Sequence, residues 1–153
     1  MIEKELILLD APFTTQEEVV KEIIEKAVKL GYVNDQDLYY NEILKREEMI
    51  PTSVGFKVAI PHGRTSAVNQ PFIAFMRTKE AFIWDEKNGE EVDFIFMIGI
   101  PEENKDNLHL KCLSLISKKL MQEEFRNELR NAKTAEDAFQ MLDQINKSIK
   151  ERE

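Results

Sequence analysis

Two stretches of the chain, "PFIAFMRT" at 71–78 and "EVDFIFMIGI" at 91–100, set the strongest limit on what it can fold into. Both are rich in Phe and Ile and nearly continuous in apolar character. A strand with one wet face alternates apolar and polar side chains. A strand without alternation must be covered on both faces. The turn-forming "NGEE" before Val92 separates the second run from the chain before it. The rest of the chain must therefore supply helices for two sides of a sheet.

Those helices can be read directly. "TTQEEVVKEIIEKAVKLG" repeats Val19, Val20, Ile23, Ile24, Ala27 and Leu30 at helical spacing. Thr14 with Glu17, or Thr15 with Glu18, offers a capping box, and Gly31 a stop. "NDQDLYYNEILKREEM" predicts a second helix, capped by Asn34 or Asp35, with Leu38, Ile43 and Leu44 toward the core and Pro51 at its end. The last third predicts three more. One opens near 104–107 and carries Leu108, Leu110, Leu113, Leu115, Ile116 and Leu120. "QEEFRNELRN" is short, and the last starts at Thr134 with Asp137. "LILLD" is a short strand or an extended lead-in, and "KVAI" a short strand halted by Pro61. No repeat or linker interrupts the pattern. The expected fold is an α/β three-layer sandwich, a mixed sheet with helices on both faces, in one domain spanning residues 1–153.

Charge and cysteine usage exclude several function classes. The formal net charge of −8 disfavours binding through phosphate neutralisation, so no nucleic-acid partner is expected. One cysteine, Cys112, allows no internal disulfide and no cysteine-based zinc site. The N-terminus is too short and too acidic for a signal peptide, and no apolar run suits a membrane span. A cytoplasmic protein without direct membrane insertion is expected.

The chain has two histidines. His62, in "VAIPHGR", follows the end of the "KVAI" strand and stands between Pro61 and Gly63. Proline restricts the backbone before it, and glycine leaves room after it. An imidazole there could attack phosphorus, bind a metal or move a proton. His109 falls in the first turn of a helix, beside backbone N–H groups that welcome an anion. Arg46 and Arg64 are the neighbouring cations, with the fork geometry that suits phosphate. On spacing alone Arg46 would be a surface partner of Glu42 or Glu47. Thr52, Ser53 and Thr65 are further hydrogen-bonding groups. The two histidines with Glu102 or Glu103 could in principle form a zinc site, but no HExxH-type spacing supports it. A P-loop, GxGxxG and GxSxG are all absent from the sequence.

"KREEMIPTSVGFKVAIPHG" resembles the signature of the EIIA domain of the bacterial sugar phosphotransferase system, fructose/mannitol type. "WDEKNGEEVDFIFMIGIPEENKDNLHLKCLSLISKKL" is similar to that family's second half. The resemblance spans nearly the whole chain and implies the same mixed-sheet fold. It implies a phosphoryl carrier, formally a phosphotransferase component, that takes phosphate from the phosphocarrier HPr on His62 and passes it to an EIIB component of a sugar transporter. It makes His109 the second active-site histidine and Arg46 the motif arginine. Thr52 and Arg64 are expected as further phosphate contacts. No cofactor or metal is implied. A regulatory module that signals by its phosphorylation state is the alternative. The apolar residues around His62 on which partners would dock are expected to be Val54, Phe56 and Ile60, with Ile60 more suited to the core.

Overall fold

The computed structural model describes residues 1–103 and 107–151. After a 3-10 turn at Lys4–Leu6 the elements run β1 (Ile7–Ala11), α1 (Gln16–Lys29), α2 (Gln36–Met49), β2 (Val58–Ala59), β3 (His62–Thr65), β4 (Phe72–Asp85), β5 (Glu90–Pro101), α3 (Leu108–Leu120), α4 (Glu123–Asn131) and α5 (Ala135–Glu151). The sheet order is β1-β4-β5-β2, with β3 also on β5. β1 is parallel to β4, β4 antiparallel to β5, and β2 and β3 parallel to β5. The sheet is therefore mixed, as the sequence predicts.

The central hairpin explains the unalternated runs. Phe94 to Ile100 of β5 are all buried. Phe94, Phe96, Ile98 and Ile100 pack with α3, α4 and α5; Ile95 and Met97 pack with α1 and α2. Each face is the floor of a separate core. β4 is longer than "PFIAFMRT" suggests and continues to Asp85, with its pairing to β5 shifted between Arg77 and Phe82. Gly99 makes room for its neighbour: a Cβ there would lie 2.2 Å from Cε1 of Phe72, its cross-strand partner.

Local signals set the helix ends. Thr15, the second of the two expected cap positions, caps α1: its Oγ1 accepts from the Glu18 N–H and donates to the Glu18 carboxylate, in place of the backbone bond of a full capping box. At the other end Gly31, at φ +85°, donates to Val28 O while Tyr32 donates to Ala27 O, a Schellman motif. Asp35 caps α2 by accepting from the Leu38 N–H, and Thr134 accepts from the Asp137 N–H.

Three expectations need correction. Leu38 and Leu30 are exposed, and Tyr39 takes the buried place beside Ile43. Leu110 is exposed as well. α3 begins at Leu108; the expected opening at 104–106 lies outside the described residues. "KVAI" does not simply end. Ile60 N–H leaves the sheet for Thr52 O, and Pro61 has no N–H to give. Pro61 O still accepts from Ile98 N–H, and pairing to β5 resumes with β3. His62 thus opens a second edge strand rather than closing the first.

Candidate functional site

His62 sits at that break in the sheet edge. It pairs in register with Ile98, and Gly63 with Gly99. Successive residues of a strand face opposite sides. His62 therefore shares the face of Ile98, the side covered by α3, which carries His109. Gly63 faces Ile43 and Tyr39 of α2. The Tyr39 hydroxyl donates to Ile98 O at 3.0 Å from within the core, bracing the strand beneath His62.

The ring of His62 is half-buried, and its Nδ1 lies 2.9 Å from Ile60 O. A carbonyl can only accept, so Nδ1 carries the proton and Nε2 keeps a lone pair. Burial pushes the His62 pKa below its ordinary value; the Ile60 carbonyl opposes this, Arg46 adds to it, Glu47 opposes it, and His109 adds to it. Arg46, Glu47 and His109 are thus the neighbours that bear on the imidazole. The outcome is a neutral ring with one directed lone pair, which is the state a nucleophile needs.

The expected site residues occupy distinct places. His109 is half-buried and is the second residue of α3, in the turn whose backbone N–H groups have no partner within the helix. Arg46 is half-buried in the last turn of α2 and gives one Nη1 donation to Ile50 O at 2.9 Å. It is not the partner of Glu47. That carboxylate is 1% exposed and accepts from the Thr52 N–H at 2.9 Å, from Trp84 Nε1–H at 2.7 Å, and from the Thr52 hydroxyl. Thr52, 6% exposed, therefore spends its hydroxyl proton inward, as a loop anchor. Arg64 shares the face of His62 two residues along β3; it is exposed, and its Nε donates to Glu102 O at 3.0 Å. Glu102 and Glu103 are exposed, and no group of three metal-ligating side chains occurs among the described residues.

The loop from Thr52 to β2 is a tight turn. Gly55, Phe56 and Lys57 all have positive φ, at +87°, +57° and +63°. For Phe56 and Lys57 the left-handed backbone costs about 1–2 kcal/mol per residue. The turn is closed by Val54 N–H to Val58 O and Val58 N–H to Gly55 O. It pushes Val54 and Phe56 into solvent, where Met49 and Ile50 at the end of α2 and Leu110 beside His109 are also exposed. Ile60 is 2% exposed and belongs to the core. The sequence reading missed Met49, Ile50 and Leu110; their signal was apolar side chains out of phase with the buried stripe of their helices. Arg126 of α4 lies 4.0 Å above the Phe56 ring and steadies it.

β3, which His62 opens, pairs with β5 alone among the described strands and so lies at the edge of the sheet. A cleft of about 710 Å³ lies between α4 and α5 around Glu124, Glu128 and Met141, and neither histidine lines it. A half-buried nucleophile at a sheet edge suits a reaction in which another macromolecule brings the second reactant.

Comparison with known proteins identifies the family. Residues 1–145 match the family described as phosphoenolpyruvate-dependent sugar phosphotransferase system, EIIA 2. The chain is 34% identical over 141 residues to the PTS system fructose-specific EIIA component of Haloferax volcanii, covering 92% of this chain and 91% of that one. It spans under a quarter of some longer relatives. Among solved structures, nitrogen regulatory protein IIA-Ntr from Neisseria meningitidis superposes with a TM-score of 0.82 at 29% identity, covering 92% of this chain and 94% of that one. Enzyme IIAMTL of Escherichia coli, solved in complex with phosphorylated enzyme IIBMTL, superposes with a TM-score of 0.79 at 22% identity, over 93% and 96% of the two chains, and shares the fold.

Proposed function

Because the chain belongs to the EIIA 2 family of the phosphoenolpyruvate-dependent sugar phosphotransferase system, we propose that it carries its phosphoryl group on Nε2 of His62. The chain is a phosphoryl carrier of that system. The observation that carries the assignment to His62 is the Nδ1 contact with Ile60 O, which leaves Nε2 as the lone-pair nitrogen of a half-buried neutral ring.

Phosphoryl transfer needs in-line approach and stabilisation of spread negative charge more than covalent help. In this reading a donor brings phosphorus to Nε2. The N–P bond forms there as the bond to the donor nitrogen breaks. His109, the first-turn N–H groups of α3 and the guanidinium of Arg46 meet the phosphoryl oxygens. Arg64, on the same face, is the reserve cation. Transfer from one histidine to another is nearly balanced, so the group can move on. No cofactor enters the step.

HPr is the donor in this reading and an EIIB component the acceptor. Val54, Phe56, Met49, Ile50 and Leu110 form the ground on which each would dock, through small, short-lived contacts. The net charge of −8 favours basic partner faces. The whole chain acts as one cytoplasmic carrier domain; no described helix is long and apolar enough to cross a membrane.

The test is incubation with enzyme I, HPr and phosphoenolpyruvate, then mass mapping of the acid-labile phosphate. His62 should be the modified residue, and His62→Gln should take no label; label elsewhere, or on the variant, refutes the assignment. His109→Ala should accept phosphate but pass it to EIIB slowly. The likeness to IIA-Ntr favours one second reading, control of other proteins by phosphorylation state. Pull-downs with the phosphorylated and unphosphorylated chain would separate the two.

A further inference from the structure

We infer that Glu47 is a positioning residue for the phosphoryl acceptor, acting through Thr52 and Ile60 to fix which nitrogen of His62 holds the proton. The inference builds on the reading of His62 as acceptor.

A carboxylate that is 1% exposed is costly to keep, and no salt bridge reaches this one among the described residues. Its donors are neutral: the Thr52 N–H, the Thr52 hydroxyl, and the indole of Trp84, the chain's single tryptophan. Nothing in the transfer step uses them. They do hold one point of backbone. Thr52 O accepts from Ile60 N–H at 3.0 Å, and Ile60 O accepts from His62 Nδ1–H at 2.9 Å. A single run of hydrogen bonds thus leads from the buried carboxylate to the ring, every donor pointing back toward Glu47.

Between Thr52 and Ile60 lies the turn with three left-handed residues. Strained backbone persists only where its surroundings over-determine it. Glu47 anchors the entry of that turn with two bonds to one residue. Without the anchor Thr52 can shift, Ile60 O follows, and the Nδ1–H tautomer loses its acceptor. A ring protonated on Nε2 has no lone pair there to attack phosphorus. The competent fraction, and the rate with it, falls in proportion.

Glu47 also carries charge, so the test must separate reach from charge. Glu47→Gln keeps the reach and an accepting oxygen. Glu47→Asp keeps the charge and is one methylene too short to hold both Thr52 and Trp84. The full chain, labelled with nitrogen-15, gives the His62 tautomer from its ring nitrogen shifts, and phospho-HPr gives acceptance kinetics. Glu47→Gln should keep the Nδ1–H tautomer and near wild-type rates. Glu47→Asp should populate the Nε2–H form and lower the maximal acceptance rate about three- to tenfold, with the KM for phospho-HPr unchanged. Should Glu47→Asp not fold, Thr52→Val removes one of the three donors at equal volume and should shift both readouts less, in the same direction. A wild-type tautomer and rate in the folded test variant overturn the inference. So does the opposite order, Gln impaired and Asp normal. The tautomer is read without any phosphate. Failure of wild-type His62 to take label would therefore refute the acceptor assignment separately from the positioning role.

Discussion

Replacing Arg77 with methionine should be among the most damaging changes outside the site. Arg77 lies on β4 and is 8% exposed. Its Nη1 meets three carbonyl oxygens at the end of α4: Leu129 at 3.0 Å, Arg130 at 3.1 Å and Ala132 at 2.7 Å. Its Nη2 meets Asp10 at 3.1 Å. Nη1 has two protons, so the three contacts amount to two full bonds, one of them shared. Bonds from a charged donor contribute about 1.5–3 kcal/mol each, giving about 3–6 kcal/mol. The Asp10 side chain is 63% exposed, so that pair adds well under 1 kcal/mol after solvent screening. Methionine keeps the apolar stem and needs no desolvation, which offsets roughly 1 kcal/mol. The net loss is about 2–5 kcal/mol, a large part of the 5–15 kcal/mol typical of a domain. At about 2–4 °C per kcal/mol for a chain of this size, the melting temperature should fall roughly 10 °C. Urea unfolding followed by circular dichroism gives the free energy directly, with an unchanged slope expected. Arg77→Lys, which keeps the charge but loses the fork, should lie between wild type and Arg77→Met. A loss below about 1 kcal/mol for Arg77→Met, or equal losses for the two variants, would refute the claim that the fork holds the end of α4.

Four further outcomes follow. Since the folded His62 pKa lies below the unfolded value of about 6.5, the unfolded chain binds more protons in the window between them, so stability rises with pH through that window and is fully present above it. His62→Gln should remove this slope. For the same reason phosphoryl acceptance should stay level from about pH 8 down to 6.5; a midpoint above 6.5 would contradict the burial argument. Gly99→Ala should destabilise by about 1–3 kcal/mol, because the new methyl must displace the fully buried Phe72, which packs on Tyr32 and Tyr39; thermal melting checks it. Phe56→Gly relieves a left-handed aromatic residue at φ +57° while losing the Arg126 contact, so stability should change by less than about 1 kcal/mol. Transfer from phospho-HPr should nevertheless slow, through a raised KM; an unchanged KM would remove Phe56 from the docking ground.

What the sequence alone determined is what repeats along the chain or is completed within a few residues. The unalternated runs from Phe72 and from Val92 required cover on both faces, and α1 with α2 on one side and α3 to α5 on the other provide it. Thr15 with Glu18, Asp35 and Thr134 announced helix starts because a cap is satisfied three residues away. His62 stood out because proline and glycine flank it. The tertiary structure decided what depends on partners far apart in sequence. Glu47 read as a surface partner of Arg46; it is buried because Trp84, 37 residues on, supplies a donor. Arg77 carried no signal at all, since its acceptors begin 52 residues later. Thr52 turned inward, and the edge strand resumed at His62 instead of stopping, because Glu47 and β5 offered better partners than solvent. Periodicity records which face of an element is apolar, and it holds no information about which polar group on another element will stand opposite.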